Sequence, residues 1–495
     1  MLPYALLSLS MLALRQAPAG SQLHVRLTTP VGSYASAVGS TVTAVLIAPL
    51  VVEGETLIPE GSTLSGTVTR AQRVGFGIVH ETATLGLGFT SITLPDGTSL
   101  PLSSRLTEVD NSRERVVQDG SIRGVRTTSS VSYRFSGYIR TLLCWEIHAH
   151  LAFWVIKTMV VQVPEPEIYY PAGSELTLAL TDPLVSTPST SASSSSQALS
   201  RDDREDLEEL TVKMPLRAYT RNSNRPSDLV NVMFVGSHDQ IAAAFVSAGW
   251  TETKPATAKS IFAGIRAVAE SRGFGAAPMS SLVLDNATPD MAWQKGLNDM
   301  SKRHHIRVWK RPETWEGKEV WIAAATRDVD FAYFRPGGAF THRIESNIDD
   351  ERDKVAHDLQ FTACTDTVGW WHRADALRNT RNATGDLMYT DGRLAVIRLN
   401  DCRVRRPKGS DDAPILRVHG NGFQRFARRQ ILSVRSDIYR RNVYWRSYEA
   451  TRWLVATIRH RRQMRDAAPS GGGFERSETE ANSFFTRARN SSWFR

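Results

Sequence analysis

The side chains of this chain that could do chemistry are concentrated in one stretch, Arg303 to Asp353. It reads RHHIRVWKRPETWEGKEVWIAAATRDVDFAYFRPGGAFTHRIESNIDDERD. Short apolar runs separate its histidines, arginines and acids, so it reads as strands that carry polar groups. On a strand from His304 to Trp309, alternation puts His304, Ile306 and Val308 on one face and His305, Arg307 and Trp309 on the other. The first set has the composition of a core, with His304 a buried, hydrogen-bonded ring. The second aims a titratable imidazole, a guanidinium and an indole the same way. On the next strand Trp321, Ala323, Ala325 and Arg327 share a face. Small alanines there leave either room for a ligand or room for close sheet packing. His342 and Arg343 point to opposite faces of an extended segment.

Asn347 can cap the helix that follows. Asp349 and Asp350 then sit in its first turn, where acids favour the positive end of the macrodipole. Asp349 and Asp353 are one turn apart, and Arg352 is within reach of Asp349. Two constellations follow. In one, His305, His342, Asp349 and Asp353 act together as catalytic groups, with His305, His342 and Asp353 ligating a divalent metal. Metal hydrolysis needs two or three such ligands and an open water position, but no HExxH or HxH spacing is present. In the other, Arg307, Trp309, Arg343 and Arg352 make a pocket for an anionic small molecule or a lipid headgroup. Planar donors grip carboxylate or phosphate, and the indole supplies a stacking surface. The bland alternative is a set of ion pairs that satisfy one another.

No nucleophile emerges. Ser237 lies at a strand–helix turn, but Val235-Gly236-Ser237-His238-Asp239 lacks the GxSxG frame. Gly273-Phe274-Gly275 completes no phosphate-binding loop. These observations lean away from an enzyme.

The elements that must position these residues lie between Asp228 and about Asn400. Leu229–Val235 reads as a strand, followed by a helix capped by Ser237. A second helix covers 256–271 and a short strand 281–284. Strands over 304–310 and 318–326, a helix over 347–364 and a strand over 393–399 complete an α+β unit with a mainly antiparallel sheet. Residues 21–182 read as many short strands between turn signals, a sandwich or barrel, with a helix near 138–161. The turn Ile58-Pro59-Glu60-Gly61-Ser62 is echoed by Tyr170-Pro171-Ala172-Gly173-Ser174. Residues 183–211 read as a Ser/Thr-rich and then acidic linker, whose acidic run Asp202 to Glu209 is either solvated or the first turn of a helix ending near Val212, and 401–495 as a basic, partly disordered tail.

Several pieces of the second unit occur together in one order: Val230 to Ser237, Ala248-Gly249-Trp250, Arg303 to Trp309, Trp321 with Ala324-Ala325-Thr326, and Thr341 to Ile344 followed by Asp349 and Glu351-Arg352-Asp353. On these, residues of about 226–391 resemble the LssY C-terminal domain family. Ala323-Ala324 stands where the family pattern leads one to expect a glycine. The resemblance implies a cell-envelope setting, since related proteins look like fusions to membrane-embedded modules. It implies no particular reaction. The repeated Pro-x-Gly-Ser entry into a strand is similar to the periplasmic barrel component of type IV secretion systems.

The 495 residues are 41% hydrophobic and 22% charged, enough to bury cores in two to four domains. The net charge of +9 comes largely from arginines after about Asn400. Nucleic-acid binding is therefore disfavoured for the body of the chain, while the basic, aromatic tail suits an anionic membrane surface or, as the weaker alternative, nucleic acid. Cys144, Cys364 and Cys402 form no CxxC pair, and free buried thiols are the expectation, with Cys364–Cys402 the one pairing considered. Leu2 to Leu14, followed by Ala17-Pro18-Ala19, reads as a signal peptide over residues 1–20, hence export to the periplasm or envelope.

Overall fold

Period-two alternation and glycine turns build the first half of the chain. In the computed structural model, residues 15–76, 80–129, 155, 161, 163–186, 201–253, 257–275, 277–334, 339–402, 422–441, 447, 451, 454, 455 and 458 are described. Strands β1 (Gln22–Leu27), β2 (Thr41–Leu46), β3 (Thr63–Gln72), β4 (Thr84–Thr93), β5 (Ser104–Val109) and β6 (Glu175–Leu180) form most of one antiparallel sheet. Its order is β5-β6-β1-β2-β3-β4, continued by the two-residue strands Ile122–Arg123 and Arg115–Val116. The sheet curls into a nearly closed barrel. Leu23, Val25 and Leu27 of β1 and Val42, Ala44 and Leu46 of β2 alternate inward to a core shared with Leu64, Leu85 and Phe89.

The echoed turns do the same job twice. Gly61 and Gly173 both have positive φ, which a side chain would resist. The N–H of Gly61 donates to the last carbonyl of β2, Leu46, and that of Gly173 to the last carbonyl of β1, Leu27. Each turn thereby sets the register of the strand it starts, β3 beside β2 and β6 beside β1.

The second half is a mixed sheet with both faces covered. Its strands are β7 (Val232–Val235), β8 (Met291–Lys295), β9 (Arg303–Trp315), β10 (Lys318–Phe334), β11 (Ala339–Ile344), β12 (Thr365–His372) and β13 (Arg393–Leu399). The order is β8-β9-β10-β7-β13-β12, with the two-residue strand Thr251–Glu252 on the outer edge of β8 and β11 on the far end of β10; only β7 and β13 run parallel. Helices α2 (His238–Ser247) and α4 (Ile348–Phe361) cover one face, packing Phe245, Val355 and Leu359 on Ile306, Val308 and Ala325. Helix α1 (Arg201–Val212) covers the other with Leu207 and Leu210 against the layer of Trp309, Ile322 and Ala324. Helix α3 (Ala258–Ala269) is capped by Thr257, and α5 (Gly422–Arg441) follows the sheet.

Several expectations change. β9 and β10 are longer than expected, and β8 and β12 were not anticipated. The expected strand 229–235 is two: Pro226–Leu229 joins a separate three-stranded sheet, and β7 joins the main one. Asn231 makes the break, because its amide exchanges hydrogen bonds with Ala325 N and O at 2.9 Å each, as a backbone neighbour would. Of the two readings of the acidic run, the helix ending at Val212 is the one found, over residues 201–212. Cys364 and Cys402 form a disulfide, which overturns the free-thiol reading for both. Residues 1–14 of the expected signal peptide, the expected helix near 138–161 apart from residues 155 and 161, residues 187–200 of the serine-rich segment and nearly all of the tail beyond 441 lie outside the described residues. Of the expected leader 1–20, Arg15–Ala17 instead form a strand paired with Leu184–Ser186, and Ala17 is buried in the barrel core. Residues 1–436 make one compact unit and 437–495 a second.

Candidate functional site

The register of β9 against β10 decides which groups meet. Arg303 pairs with Asp328, His305 with Thr326, and Arg307 with Ala324. All lie on the face covered by α1. Asp328 Oδ2 accepts from Arg303 Nε at 2.8 Å, and Arg303 Nη1 donates to Gln294 Oε1 at 3.0 Å. His305 Nδ1 lies 3.6 Å and His342 Nδ1 3.5 Å from the same Asp328 oxygen. Neither Nδ1 has a hydrogen-bond partner, although His305 Nε2 is 2.7 Å from Thr326 Oγ1. Burial pushes His305 down to about 3 and also lowers His342, so both rings are neutral at pH 7. Burial opposes the charge on Asp328, but its partners, with the hydrogen-bonded Arg303 guanidinium as the charged one, hold its carboxyl below the usual range.

Further along β9 the groups are paired off. Arg307 Nη1 donates to Asp228 Oδ2 at 2.9 Å and Nη2 to Ser280 Oγ at 2.9 Å. Trp309 is buried and its Nε1 donates to Ala287 O. Ala324, opposite Arg307, is filled in by core rather than by a ligand space.

The acids of α4 lie on the other side of the sheet. Asp349 accepts from Thr390 Oγ1 at 2.6 Å, from Arg352 Nη1 at 2.9 Å and from Asp391 N at 2.7 Å. Asp353 accepts from Arg352 Nε at 2.8 Å and Trp370 Nε1 at 2.7 Å. Arg352 is fully buried and also reaches Asp391 at 2.7 Å; those carboxylates raise its pKa despite burial. Arg343 is exposed, 3.8 Å from Asp386.

The structure therefore brings His305 and His342 together over Asp328 and separates them from Asp349 and Asp353, which the helix holds on the opposite face. The constellation of four and the metal set His305, His342 and Asp353 are not assembled. Nor do Arg307, Trp309, Arg343 and Arg352 line one pocket. Among the described residues no group of three or more His, Cys, Asp or Glu side chains is placed to hold a metal ion.

His304 and Arg327 project from β9 and β10 toward the barrel instead. His304 Nδ1 is 2.5 Å from Glu351 Oε2 of α4, and Nε2 is 2.7 Å from Asp110 Oδ2 at the end of β5. Arg327 Nη2 donates to Asp110 at 2.9 Å and Glu108 at 2.6 Å. Burial disfavours the imidazolium, but Asp110 and Glu351 outweigh it and raise His304 to about 9. Beside this lies a second cluster. Glu175 of β6 and Asp358 of α4 are bridged by Lys295, Lys354 and Arg26 at 2.6–3.2 Å, and Trp250 Nε1 donates to Asp358 at 2.9 Å. Burial opposes both carboxylates, yet the cations hold Glu175 well below the ordinary range and lower Asp358.

Sequence reasoning missed Asp328, Arg303, Asp110, Glu175 and Asp358. Asp328 and Arg303 were visible only through the β9–β10 register. The other three become partners only once the halves are docked, for which spacing carries no signal.

Comparison with curated proteins finds no match. Among solved structures, ComB10 of the Com type IV secretion system of Helicobacter pylori is similar at 14% identity, covering 36% of this chain and 93% of that chain, with a TM-score of 0.20, too low to carry an argument. Residues 213–394, which hold most of the mixed sheet and the helices α2, α3 and α4, match the family model described as LssY C-terminus.

Proposed function

We propose that this chain is a non-catalytic assembly module of the cell envelope, in which the barrel and the LssY-type domain work as one body. The observation that carries the reading is the buried ion-pair junction. Its charges come from β1, the end of β5, and β6 on one side and from β8, β9, β10 and α4 on the other. Charges buried this way stay only where each is paired, and such pairing fixes one docking geometry. The candidate reactive groups support the same reading, since they are split between two faces and most are taken up by other residues, Arg307 by Asp228, Trp309 by Ala287 and Arg352 by Asp349, Asp353 and Asp391. Two cavities among the described residues are small. The cavity beside Arg303, Gln294 and Asp299 has about 10 Å³, and that beside Asn231, Arg373 and Arg393 about 20 Å³, room for a water rather than for a phosphorylated molecule. The Cys364–Cys402 disulfide supports an oxidising compartment, as does the apolar start of the sequence.

One observation favours a second reading, a hydrolase of phosphorylated or lipid-linked substrates: two orphan imidazole nitrogens face one carboxylate at Asp328. The purified full chain is to be assayed on p-nitrophenyl phosphate and its bis-ester, with and without zinc, manganese and magnesium, beside His305→Ala. No turnover above that variant is expected. Turnover lost in His305→Ala would replace the assembly reading with the hydrolase. Cell fractionation with thiol alkylation tests the compartment, and a cytoplasmic, fully alkylated chain would contradict it.

A further inference from the structure

Helix α3 is inside out. Its buried residues are the small ones, Ser260, Gly264 and Ala267, one turn apart along one face. Its large apolar side chains point to solvent: Ile261 is 48% exposed, Phe262 58% and Ile265 62%. At 100° per residue these three span about 100° of the circumference, a continuous strip rather than scattered positions. Surface helices of globular domains normally turn such a strip inward.

The border of the strip is cationic. Lys259 and Arg266 lie three before and four after Phe262, on its flank, and Arg272 follows the helix end. The helix itself contains no acid. The adjoining Glu270 is buried and is taken up by Arg266 at 2.7 Å and Arg272 at 2.5 Å. An exposed apolar strip edged by long basic side chains, with no exposed acid on the helix, is the pattern of a helix lying in the headgroup boundary of an anionic bilayer. The length agrees: 12 residues make about 18 Å, enough to lie along a surface. Among the described residues no helix is long and apolar enough to cross a membrane.

We propose that α3 is a peripheral membrane-docking surface that inserts Ile261, Phe262 and Ile265 into an anionic lipid leaflet, with Lys259 at the headgroups. This does not rest on the assembly reading and concerns a different face from the ion-paired junction. The test is sedimentation of the full chain with vesicles of phosphatidylcholine alone or with one-third phosphatidylglycerol. Binding to the anionic vesicles is expected, weakened by 0.5 M salt, at least tenfold lower for Phe262→Asp/Ile265→Asp, and a few-fold lower for Lys259→Glu. All three positions are exposed, and thermal unfolding of the variants checks that the fold is kept. Binding that is absent from the wild type, or unchanged in the double variant, would overturn the proposal. So would a dimer in light scattering that the double variant dissolves, which would assign the strip to a second copy of the chain.

Discussion

The imidazole of His304 and the carboxylate of Asp110 meet at 2.7 Å across the junction between barrel and mixed sheet, with Glu351 on the other ring nitrogen. One protonated ring thus serves two acids from different halves of the molecule, and the structure makes that ring the titratable hinge of their association.

The pH dependence follows from the sign of the shift. The folded value of about 9 exceeds the ordinary 6.5, so the stabilisation is complete below pH 6.5 and is lost as pH rises through 9. The difference corresponds to about 3 kcal/mol. Asp110 is shifted the opposite way, by burial outweighed by His304, and its contribution is lost only in acid. Thermal unfolding between pH 6 and 10 is expected to show a falling midpoint for the wild type and a lower, flatter profile over the same range for His304→Gln. Parallel profiles would contradict the assignment.

Removing one acid of the Glu175–Asp358 cluster leaves three buried cations to a single carboxylate. Asp358→Asn is expected to cost about 3–5 kcal/mol in urea unfolding. The control Asp239→Asn, at a fully exposed side chain, should stay within about 0.5 kcal/mol. Equal midpoints for the two variants would show that the cluster contributes little.

The disulfide closes a loop of 38 residues between α4 and the end of β13. Chain-entropy arguments put its contribution at about 4 kcal/mol. Cys402→Ser should lower the unfolding midpoint, and dithiothreitol should lower the wild type to the same value while leaving the variant unchanged. A midpoint indifferent to reductant would contradict the pairing.

His305 gives a spectroscopic test. Burial holds it at about 3, so its ring carbon resonance is expected to stay flat from pH 5 to 8. A transition near pH 6.5 in a spectrum assigned with His305→Gln would show the ring to be open to water.

Much of this architecture was legible in the sequence, for physical reasons that differ by element. Ser237 with Gln240 and Asn347 with Asp349 N form the caps that their residue types announce, because capping is local. The Pro-x-Gly-Ser echo and strand β13 were likewise readable from turn chemistry and β-branched alternation. β12, with its exposed Trp370 and half-exposed Trp371, mixes polar and aromatic residues and carries no clear period. The alternation on β9 correctly put His305 and Arg307 on one face and His304 on the other. It could not show that His304, which reads as core, faces a second domain. Nor could it show that α4 would carry Asp349 and Asp353 to the opposite side of the sheet from His305. Those outcomes depend on tertiary docking, which neither spacing nor composition encodes locally.

If barrel and LssY-type domain are one body held by buried ion pairs, cutting the segment between them leaves them together. The direct measurement is to place a protease site between residues 187 and 200, cut the folded chain, and run it on size exclusion at pH 7.5 in 0.15 M salt. The two fragments are expected to elute together, and to separate when Glu175→Gln and Asp358→Asn are combined. Fragments of the wild-type pairs that part on cutting would contradict it.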